Sequence, residues 1–399
     1  MQHADVQKWR NETPGCANRI HLNNAGAALM PAPVLNACND HLKLESEIGG
    51  YEAADVKSPE IAQVYDQVAS LVGARRENIG IVANATAAFI QAMSSFDFSP
   101  GDIIVTTRAD YTSYQITFLS LAKRLGVIIK HAADLPEGGV DPQSVRELVR
   151  NPRCRVVHLS WVPTHSGIIQ DAEAVGEVCD DLGVPYLVDA CQAVGQMPID
   201  VNRLNCDYLS ATGRKFLRGP RGIGFLYASD RALARGDHPL FVDMRGATWI
   251  EPKRYEIATT AMRYEDWEFP YALVLGLGAA AQYARDVGID VASRRAFGLA
   301  QRVREKLRAI PGIQVLDGGR SQCAIVTAAV ENRDARDLVK ELSRLGINTT
   351  ASLKWYGLLD FGDRNVESAI RISPHYYNTQ EEIDVVIDLI ASWLHRSGE

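Results

Sequence analysis

The sequence lacks the features that mark membrane, secreted and metal-binding proteins. No apolar run approaches the roughly 20 residues of a membrane-spanning helix, and the first residues show neither the basic start nor the apolar core of a signal peptide. The seven cysteines are widely spread and form no CxxC pair, so we expect neither a disulfide framework nor a metal site. These absences favour a cytoplasmic protein in a reducing compartment.

Charge and missing motifs exclude further classes of protein. A formal net charge of −7 argues against nucleic acid or an anionic membrane as the partner. The zinc motif HExxH, the phosphate-binding loop GxxxxGK[ST] and the nucleophile motif GxSxG are absent. The chain has 399 residues, which is enough for two or three domains.

Two stretches combine a predicted buried strand with a reactive residue. The apolar run 186–188 ends on Asp189, as expected where a parallel strand delivers an acid to the carboxyl edge of a sheet. A second predicted strand, 207–210, leads into a small-residue turn that carries Lys215. Pyridoxal phosphate (PLP) requires these two groups, a carboxylate that keeps its ring nitrogen protonated and an amine that forms a Schiff base and moves the Cα proton. Such a pair alone is more often a core-edge acid and a solvated lysine, but the neighbouring residues reverse that interpretation.

The neighbouring residues resemble a known family. Asp189-x-x-Gln192, Ser210-x-Thr212-Gly213-x-Lys215 and Gly219-Pro220-x-Gly222-Ile223-Gly224 together are similar to the aminotransferase class V family, with further matches from about Leu22 to Asn378. This family contains fold-type I PLP enzymes, among them cysteine desulfurases, selenocysteine lyase, isopenicillin N epimerase and sulfoxide C–S lyases. The resemblance implies PLP as cofactor and a homodimer with its sites at the subunit interface.

The resemblance also implies the fold class and its division into domains. We expect an α/β fold in which a large PLP-binding domain, residues 16–287, has a mostly parallel sheet flanked by helices. An N-terminal arm, 1–15, precedes it, and a small α+β domain, 288–399, follows. Residues 236–270 are predicted to be irregular, and the small domain is predicted to have helices at 290–309 and 334–345 and strands at 313–316, 322–329 and 368–372.

Several residues are implied to contact the cofactor. Ala85 and Thr86 open a helix after a short apolar strand and resemble the family's phosphate cup, although Asn84 or Thr86 would also serve as an ordinary helix cap. Tyr111 resembles the ring that stacks on the cofactor in relatives. The other implied contacts are Asp189, Gln192 to the phenolic oxygen, Thr164 where many relatives have Asn, Thr212, Arg214 and Lys215.

Other residues are implied to contact the substrate. Arg371 ends a predicted strand and resembles the family arginine that binds the substrate carboxylate bidentately. Asn24 and Ala25 lie in a small-residue segment that is beside the substrate in relatives. Glu268 replaces part of a phosphate-contacting Gly-Thr pair, so it either turns away or touches substrate. His165, expected to be an exposed loop histidine, receives no role.

The reaction type is less directly indicated than the cofactor. Residues 353–357, Leu-Lys-Trp-Tyr-Gly, lack the mobile nucleophilic cysteine that desulfurases carry in this region, which disfavours persulfide chemistry. We expect a β-eliminating lyase of the C–S lyase type that acts on an amino acid, with Lys215 taking the Cα proton. An aminotransferase or an epimerase, with Tyr111 as a second proton donor, is the alternative within the family. A non-catalytic module that binds an amino acid or PLP is the alternative from another class.

Overall fold

The computed structural model describes residues 3–396, with side chains from Asp5 to His395. In this part of the chain no helix is both long and apolar enough to cross a membrane. The strands are β1 Ile20–His21, β2 Ile79–Val82, β3 Ile103–Thr106, β4 Ile128–His131, β5 Cys154–Ser160, β6 Tyr186–Asp189, β7 Tyr208–Thr212, β8 Gly224–Ala228, β9 Ala247–Glu251, β10 Arg254–Ile257, β11 Ile313–Val315, β12 Val326–Val330, β13 Ile347–Asn348, β14 Thr350–Leu353 and β15 Ser368–Ile372.

The α-helices alternate with the strands along most of the chain. They are α1 His3–Asn11, α2 Ala32–Ile48, α3 Gly50–Val56, α4 Ser58–Val72, α5 Ala85–Met93, α6 Thr112–Leu125, α7 Pro142–Val149, α8 Ala172–Leu182, α9 Val201–Leu204, α10 Asp230–Ala234, α11 Tyr271–Val287, α12 Ile289–Arg308, α13 Ala335–Arg344, α14 Leu358–Asp363 and α15 Gln380–Arg396. Short 3-10 turns lie at Pro14–Ala17, Arg76–Asn78, Ala261–Tyr264 and Lys354–Tyr356.

A seven-stranded sheet forms the centre of the larger part of the molecule. Its strand order is β2-β8-β7-β6-β5-β3-β4, and all neighbours pair in parallel except β8, which is antiparallel to β2 and β7. The middle strands β6 and β7 are buried at every residue, which agrees with their continuous apolar sequences. The expected α/β fold with a mostly parallel sheet flanked by helices is therefore confirmed.

The helices begin and end where their sequences favour it. Asn84, Asp141 and Asp171 accept backbone N–H groups at the starts of α5, α7 and α8, as short polar side chains do at N-caps. Helix α4 has apolar residues at helical spacing, among them Ile61 and Val64, that pack in the main core. Burial of these faces fixes the helices against the sheet.

A second, four-stranded sheet has the order β11-β12-β15-β14 and is antiparallel throughout. Strands β11, β12 and β15 overlap the predicted strands at 313–316, 322–329 and 368–372. Gly288 separates α11 from α12, beside the proposed division after residue 287, which stays a prediction. Strand β1 pairs in parallel with β13, so the N-terminal segment joins this second part of the molecule.

One predicted irregular segment has regular structure. Within 236–270, β9 and β10 form an antiparallel hairpin that pairs with no other strand of the described residues. Most of its residues are exposed, although residues 254–257, Arg-Tyr-Glu-Ile, alternate polar and apolar side chains as a strand does. That prediction was wrong for residues 247–257.

Candidate active site

The carboxyl ends of β6 and β7 bring Asp189 and Lys215 to the same edge of the large sheet. Asp189 is the last residue of β6, and Lys215 follows β7 by three residues. The turn after Asp189 packs on the backbone after Lys215 at Gly195, where a Cβ would lie 2.4 Å from the Leu217 nitrogen. Gly195 also has a φ of 87°, a conformation that L side chains rarely adopt. A glycine at this position therefore keeps the two functional turns together.

A cavity of about 440 Å³ opens at this edge. It is lined by Asn84, Ala85, Thr86, Tyr111, Tyr114, Asp189, Cys191, Thr212, Arg214, Lys215, Arg221 and Gly222. Seven of the residues predicted as cofactor contacts are in this set. The structure thus brings together side chains from five separate segments of the chain.

The Asp189 carboxylate is buried, 5 % exposed, and has an unequal environment. Its Oδ1 accepts the Cys191 backbone N–H at 2.9 Å. Its Oδ2 lies 3.3 Å from the hydroxyl of Ser160, the residue opposite it on β5. One oxygen is therefore fixed by the backbone, and the other is more weakly engaged.

Lys215 is buried within the cavity wall, 8 % exposed. Burial lowers the pKa of its amine, and the positive charges of Arg214 and Arg371 lower it further, against the raising effects of Cys191 and Asp189. A lysine with a lowered pKa has more of the neutral, nucleophilic form near neutral pH. This environment suits an amine that attacks a carbonyl carbon or accepts a proton.

Two cations and a helix N-terminus form a positively charged end of the cavity. Asn84 caps α5 by accepting the Ala87 N–H at 2.9 Å. Among the described residues, no acceptor is found for the N–H groups of Ala85 and Thr86, which open the helix. Burial and the neighbouring charge of Arg221 lower the pKa of Arg214, so two like charges lie close together where an anion would compensate both. The helix cap leaves the Ala85 and Thr86 N–H groups available to an anion, because Asn84 accepts the Ala87 N–H instead.

Arg371 lies beside the cavity and is 8 % exposed. Its Nη1 donates to the carbonyl and the hydroxyl of Thr164, both at 2.8 Å, and its Nη2 donates to Asn23 Oδ1 at 3.2 Å. The buried Nε has no partner among the described residues. Burial lowers the pKa of Arg371 to about 10, to which the charge of Arg214 contributes, while Tyr356 and Tyr111 oppose this effect. Neither partner carries a charge, so the site lacks the anion that a guanidinium prefers.

Other predicted residues lie around this core of the site. Gln192 donates to the Ala25 carbonyl at 3.1 Å and to Thr164 Oγ1 at 3.4 Å, and its Oε1 has no partner among the described residues. The amide of Asn24 is fully buried and bonded to the Ser373 carbonyl at 2.7 Å and to the Tyr377 hydroxyl. The substrate contacts predicted for Asn24 and Ala25 stay predictions, and neither residue lines the cavity.

Two undecided residues have clear positions. Glu268 is exposed on the protomer and does not line the cavity. His165 is fully buried, with Nε2 3.3 Å from Asp360 Oδ2 and its ring against Phe361. The expectation of an exposed histidine was wrong, because α14 covers the loop that carries it.

The segment without cysteine is held firmly at the rim of the site. Thr112 donates to the carbonyls of Trp355 and Tyr356 at 3.1 and 3.0 Å. A Cβ at Gly357 would lie 2.5 Å from the His165 ring, which indicates tight packing. Six of the seven cysteines are buried and Cys16 is half-buried. Cys191, which lines the cavity, has a pKa raised by burial and by Asp189, so its thiol stays protonated.

Sequence reasoning missed two residues of the site. Arg221 lines the positively charged end of the cavity, and Asn23 rather than Asn24 accepts from Arg371. The Gly219–Gly224 motif gave a signal for Arg221, which lies inside it. Asn23 had none, since its proximity to Arg371 depends on the tertiary fold. Tyr356 lies close enough to Arg371 to affect its pKa.

The residues present fit PLP. A phosphate matches the free N–H groups of α5 with Arg214 and Arg221, a protonated ring nitrogen matches Asp189, and an aldehyde matches the amine of Lys215. The unpartnered buried oxygen of Gln192 and Nε of Arg371 leave hydrogen-bonding capacity beside the same cavity. No described group of three or more His, Cys, Asp or Glu residues could hold a metal ion.

Comparison with known proteins supports this assignment. The model of the aminotransferase class-V family matches residues 20–386. A probable cysteine desulfurase of Methanothermobacter thermautotrophicus is 26% identical over 398 residues, covering 97% of this chain and 96% of the relative. A cysteine desulfurase from Thermococcus onnurineus NA1, solved in the apo form, superimposes with a TM-score of 0.88 at 22% identity, covering 97% of each chain. The cystine C–S lyase C-DES, solved with its product cysteine persulfide, has a TM-score of 0.85 at 24% identity, covering 95% of this chain and 99% of that one.

Proposed function

The chain belongs to the aminotransferase class V family of PLP-dependent enzymes, and from this premise we propose that it is a β-eliminating lyase acting on a sulfur-containing amino acid. Relatives are named cysteine desulfurases, and a protein of the same fold is a cystine C–S lyase. When bound, PLP supplies an electron sink for the electrons left at Cα of the amino acid.

The observation that carries the proposal is the environment of Lys215. Its amine lies in one cavity with Asp189, and Arg371 is near enough to lower its pKa. A base, an acceptor for the ring nitrogen and a cation for the substrate carboxylate therefore converge on one place. A binding module without catalysis would not need a buried lysine whose pKa is lowered.

Each of these residues has a defined task in the proposed reaction. Arg371 holds the substrate carboxylate with its guanidinium, and Asp189 holds the ring nitrogen of the cofactor. The Lys215 amine takes the proton from Cα. The electron pair of that bond then forms a Cα–Cβ double bond, while sulfur leaves Cβ with its own bonding pair. Hydrolysis of the released enamine gives a keto acid and ammonia.

The cysteines favour elimination over sulfur transfer to the protein. Residues 353–357 contain no cysteine, and contacts from Thr112 and His165 fix this segment. Cys191 lines the cavity, but burial keeps its thiol protonated and therefore weakly nucleophilic. A persulfide route needs an accessible thiolate, whereas elimination needs only a leaving group.

We further propose a homodimer in a cytoplasmic, reducing compartment. Large apolar side chains are exposed on the protomer at Leu240, Phe241, Met244 and Trp249, which is unusual for an uncovered surface. All seven cysteines are free. The molar mass of the purified protein in solution, from sedimentation equilibrium, tests the dimer.

The proposed function is tested by spectroscopy followed by product analysis. The purified protein should show a visible band that bleaches with borohydride, and peptide mapping should then find the cofactor on Lys215. With L-cystine or L-cysteine, equal amounts of keto acid and ammonia support elimination. Matched proteins are Lys215→Ala, which should lose turnover, and Lys340→Ala, an exposed lysine on α13 outside the site, which should keep it.

Other products would replace the proposal with a defined alternative. Alanine with sulfur on a protein thiol would indicate desulfuration, amino-group transfer an aminotransferase, and loss of chirality alone an epimerase. A Lys215→Ala protein that still turns over substrate would remove the catalytic assignment. A protein that never binds PLP would overturn the whole proposal.

A further inference from the structure

A buried polar cluster lies next to Asp189, and none of its residues lines the cavity. It consists of Thr106, Asp110, His158 and Ser160, which we call the Asp110 cluster, and all four residues are at most 3 % exposed. They come from the carboxyl half of β5, the end of β3 and the loop that follows β3. The proposed reaction gives none of them a task.

Asp110 is the centre of the cluster. Its Oδ2 accepts the Thr106 hydroxyl and lies 2.7 Å from His158 Nδ1, and its Oδ1 accepts the Ser160 hydroxyl and the Tyr111 N–H. Burial opposes the ionisation of Asp110. The charge of His158 and the hydrogen bonds from His158, Ser160 and Thr106 outweigh burial and lower the pKa of Asp110. Asp110 is therefore an ionised carboxylate and a strong acceptor.

The Ser160 hydroxyl lies between two carboxylates. A serine has one proton to donate. Its oxygen is 3.3 Å from Asp189 Oδ2, which is longer than the usual O–H···O range of about 2.5–3.0 Å. The Tyr111 N–H also donates to the Ser160 oxygen, at 3.2 Å. The Ser160 hydroxyl therefore donates its hydrogen bond to Asp110, and Asp189 Oδ2 receives no full hydrogen bond from Ser160.

This arrangement has a consequence for the cofactor. A donor to a carboxylate stabilises its charge and makes it a weaker acceptor for other donors. We infer that Asp110 is a positioning residue that accepts the hydrogen bond of the Ser160 hydroxyl, so that Asp189 Oδ2 stays free to accept the ring N–H of PLP. The inference rests on the proposed function, in which Asp189 holds that nitrogen. Through the Tyr111 N–H, the same carboxylate also fixes the residue predicted to stack on the ring.

The experiment compares two ligands in matched proteins. The apo-protein is titrated with PLP and with an analogue in which carbon replaces the ring nitrogen, and the ratio of the two dissociation constants is the readout. In Asp110→Asn the neutral amide is a weaker acceptor than a carboxylate, so the Ser160 hydroxyl should turn and donate its hydrogen bond to Asp189. The dissociation constant of PLP relative to that of the analogue should then rise about tenfold, which is roughly the contribution of one hydrogen bond to a charged group.

A second substitution should reverse this effect. In Asp110→Asn/Ser160→Ala the competing proton is gone, and the ratio should return to within about threefold of the parent, a non-additive result typical of coupled residues. The control is Asp102→Asn, the same change at the opposite end of β3, where Asp102 pairs with Arg153. It should leave the ratio unchanged. If Asp110→Asn does not fold, Asp110→Ala is tested in the same cycle.

Different failures have different meanings. A parent protein that binds both ligands equally would overturn the assignment of Asp189, and the inference with it. A parent that prefers PLP over the analogue, combined with a double variant that discriminates between the two ligands no better than Asp110→Asn does, would overturn the inference alone. Equal weakening of both ligands in Asp110→Asn would likewise make the cluster a purely structural feature.

Discussion

Replacing Arg371 by glutamine should stabilise the apo-protein while it destroys substrate binding. Arg371 is buried, and its partners Thr164 and Asn23 are uncharged. A buried charge without a counter-ion is costly. The site therefore keeps, before substrate binds, a cation that the fold does not need.

The magnitude follows from the pKa of Arg371. Burial lowers this pKa from 12.5 to about 10, and a tenfold change in a dissociation constant equals about 1.4 kcal/mol, so the charge costs roughly 3 kcal/mol. Because the folded-state value is the lower one, the cost is complete below pH 10 and falls as the pH rises through that value. Thr164 and Asn23 lose hydrogen-bond donors in the variant, which lowers the unfolding free energy by about 1 kcal/mol and offsets part of the gain. The net gain in unfolding free energy should be about 1–3 kcal/mol at pH 7.

Denaturant unfolding of the cofactor-free proteins, followed by tryptophan fluorescence, measures this gain. The matched control is Arg304→Gln, since Arg304 is equally buried but bonds to Asp317 at 2.8 Å. Leaving Asp317 unpaired should cost about 3–5 kcal/mol. The same substitution thus has opposite signs at the two sites. If Arg371→Gln destabilised the protein as Arg304→Gln does, the argument from an uncompensated charge would be refuted.

Two further predictions concern the cavity. Arg214→Gln removes one of the charges that lower the pKa of Lys215, so the pH at which cofactor attachment to the apo-protein is half-maximal should rise; a stopped-flow pH profile that did not move would contradict this. Cys191→Ala should keep kcat/KM within about threefold of the parent, as expected for a small buried residue whose raised pKa keeps the thiol protonated; a loss above tenfold in steady-state assays would mean that the thiol takes part.

The sequence predicted the elements whose pattern is local. Helix α2, Ala32–Ile48, has both of its limits in the sequence, with Pro33 at its start and Gly49 at its end. Asp189 was expected at a strand end and lies there, since a buried strand has a continuous apolar run. Helix α15, with Ile383, Val386, Ile387 and Ile390 at helical spacing, was accessible to the same reasoning but was not predicted.

The Asp110 cluster could not be predicted in this way. Asp110 directly precedes Tyr111 in the sequence, but its partners His158 and Ser160 are about fifty positions away in the chain. Their contact depends on β3 and β5 being neighbours in the sheet, with Ser160 opposite Asp189. Likewise, Asn23 rather than Asn24 faces Arg371, because the bridge from Asn23 to Ser373 sets which side chain points to the site.

The fate of the substrate sulfur depends on the segment that covers the site. Thr112 bonds to the carbonyls of Trp355 and Tyr356, and Arg108 bonds to α14 at the Leu359 carbonyl and at Asp363. These contacts hold an aromatic pair at the rim, with ring centroids 4.1 Å apart, where a sulfur-accepting protein would need a movable thiol. Because residues 353–357 contain no cysteine, the sulfur leaves Cβ with its bonding pair and takes up only a proton, as a thiol or hydrogen sulfide. Elimination therefore needs no protein thiol as sulfur acceptor, and this rim is compatible with a lyase.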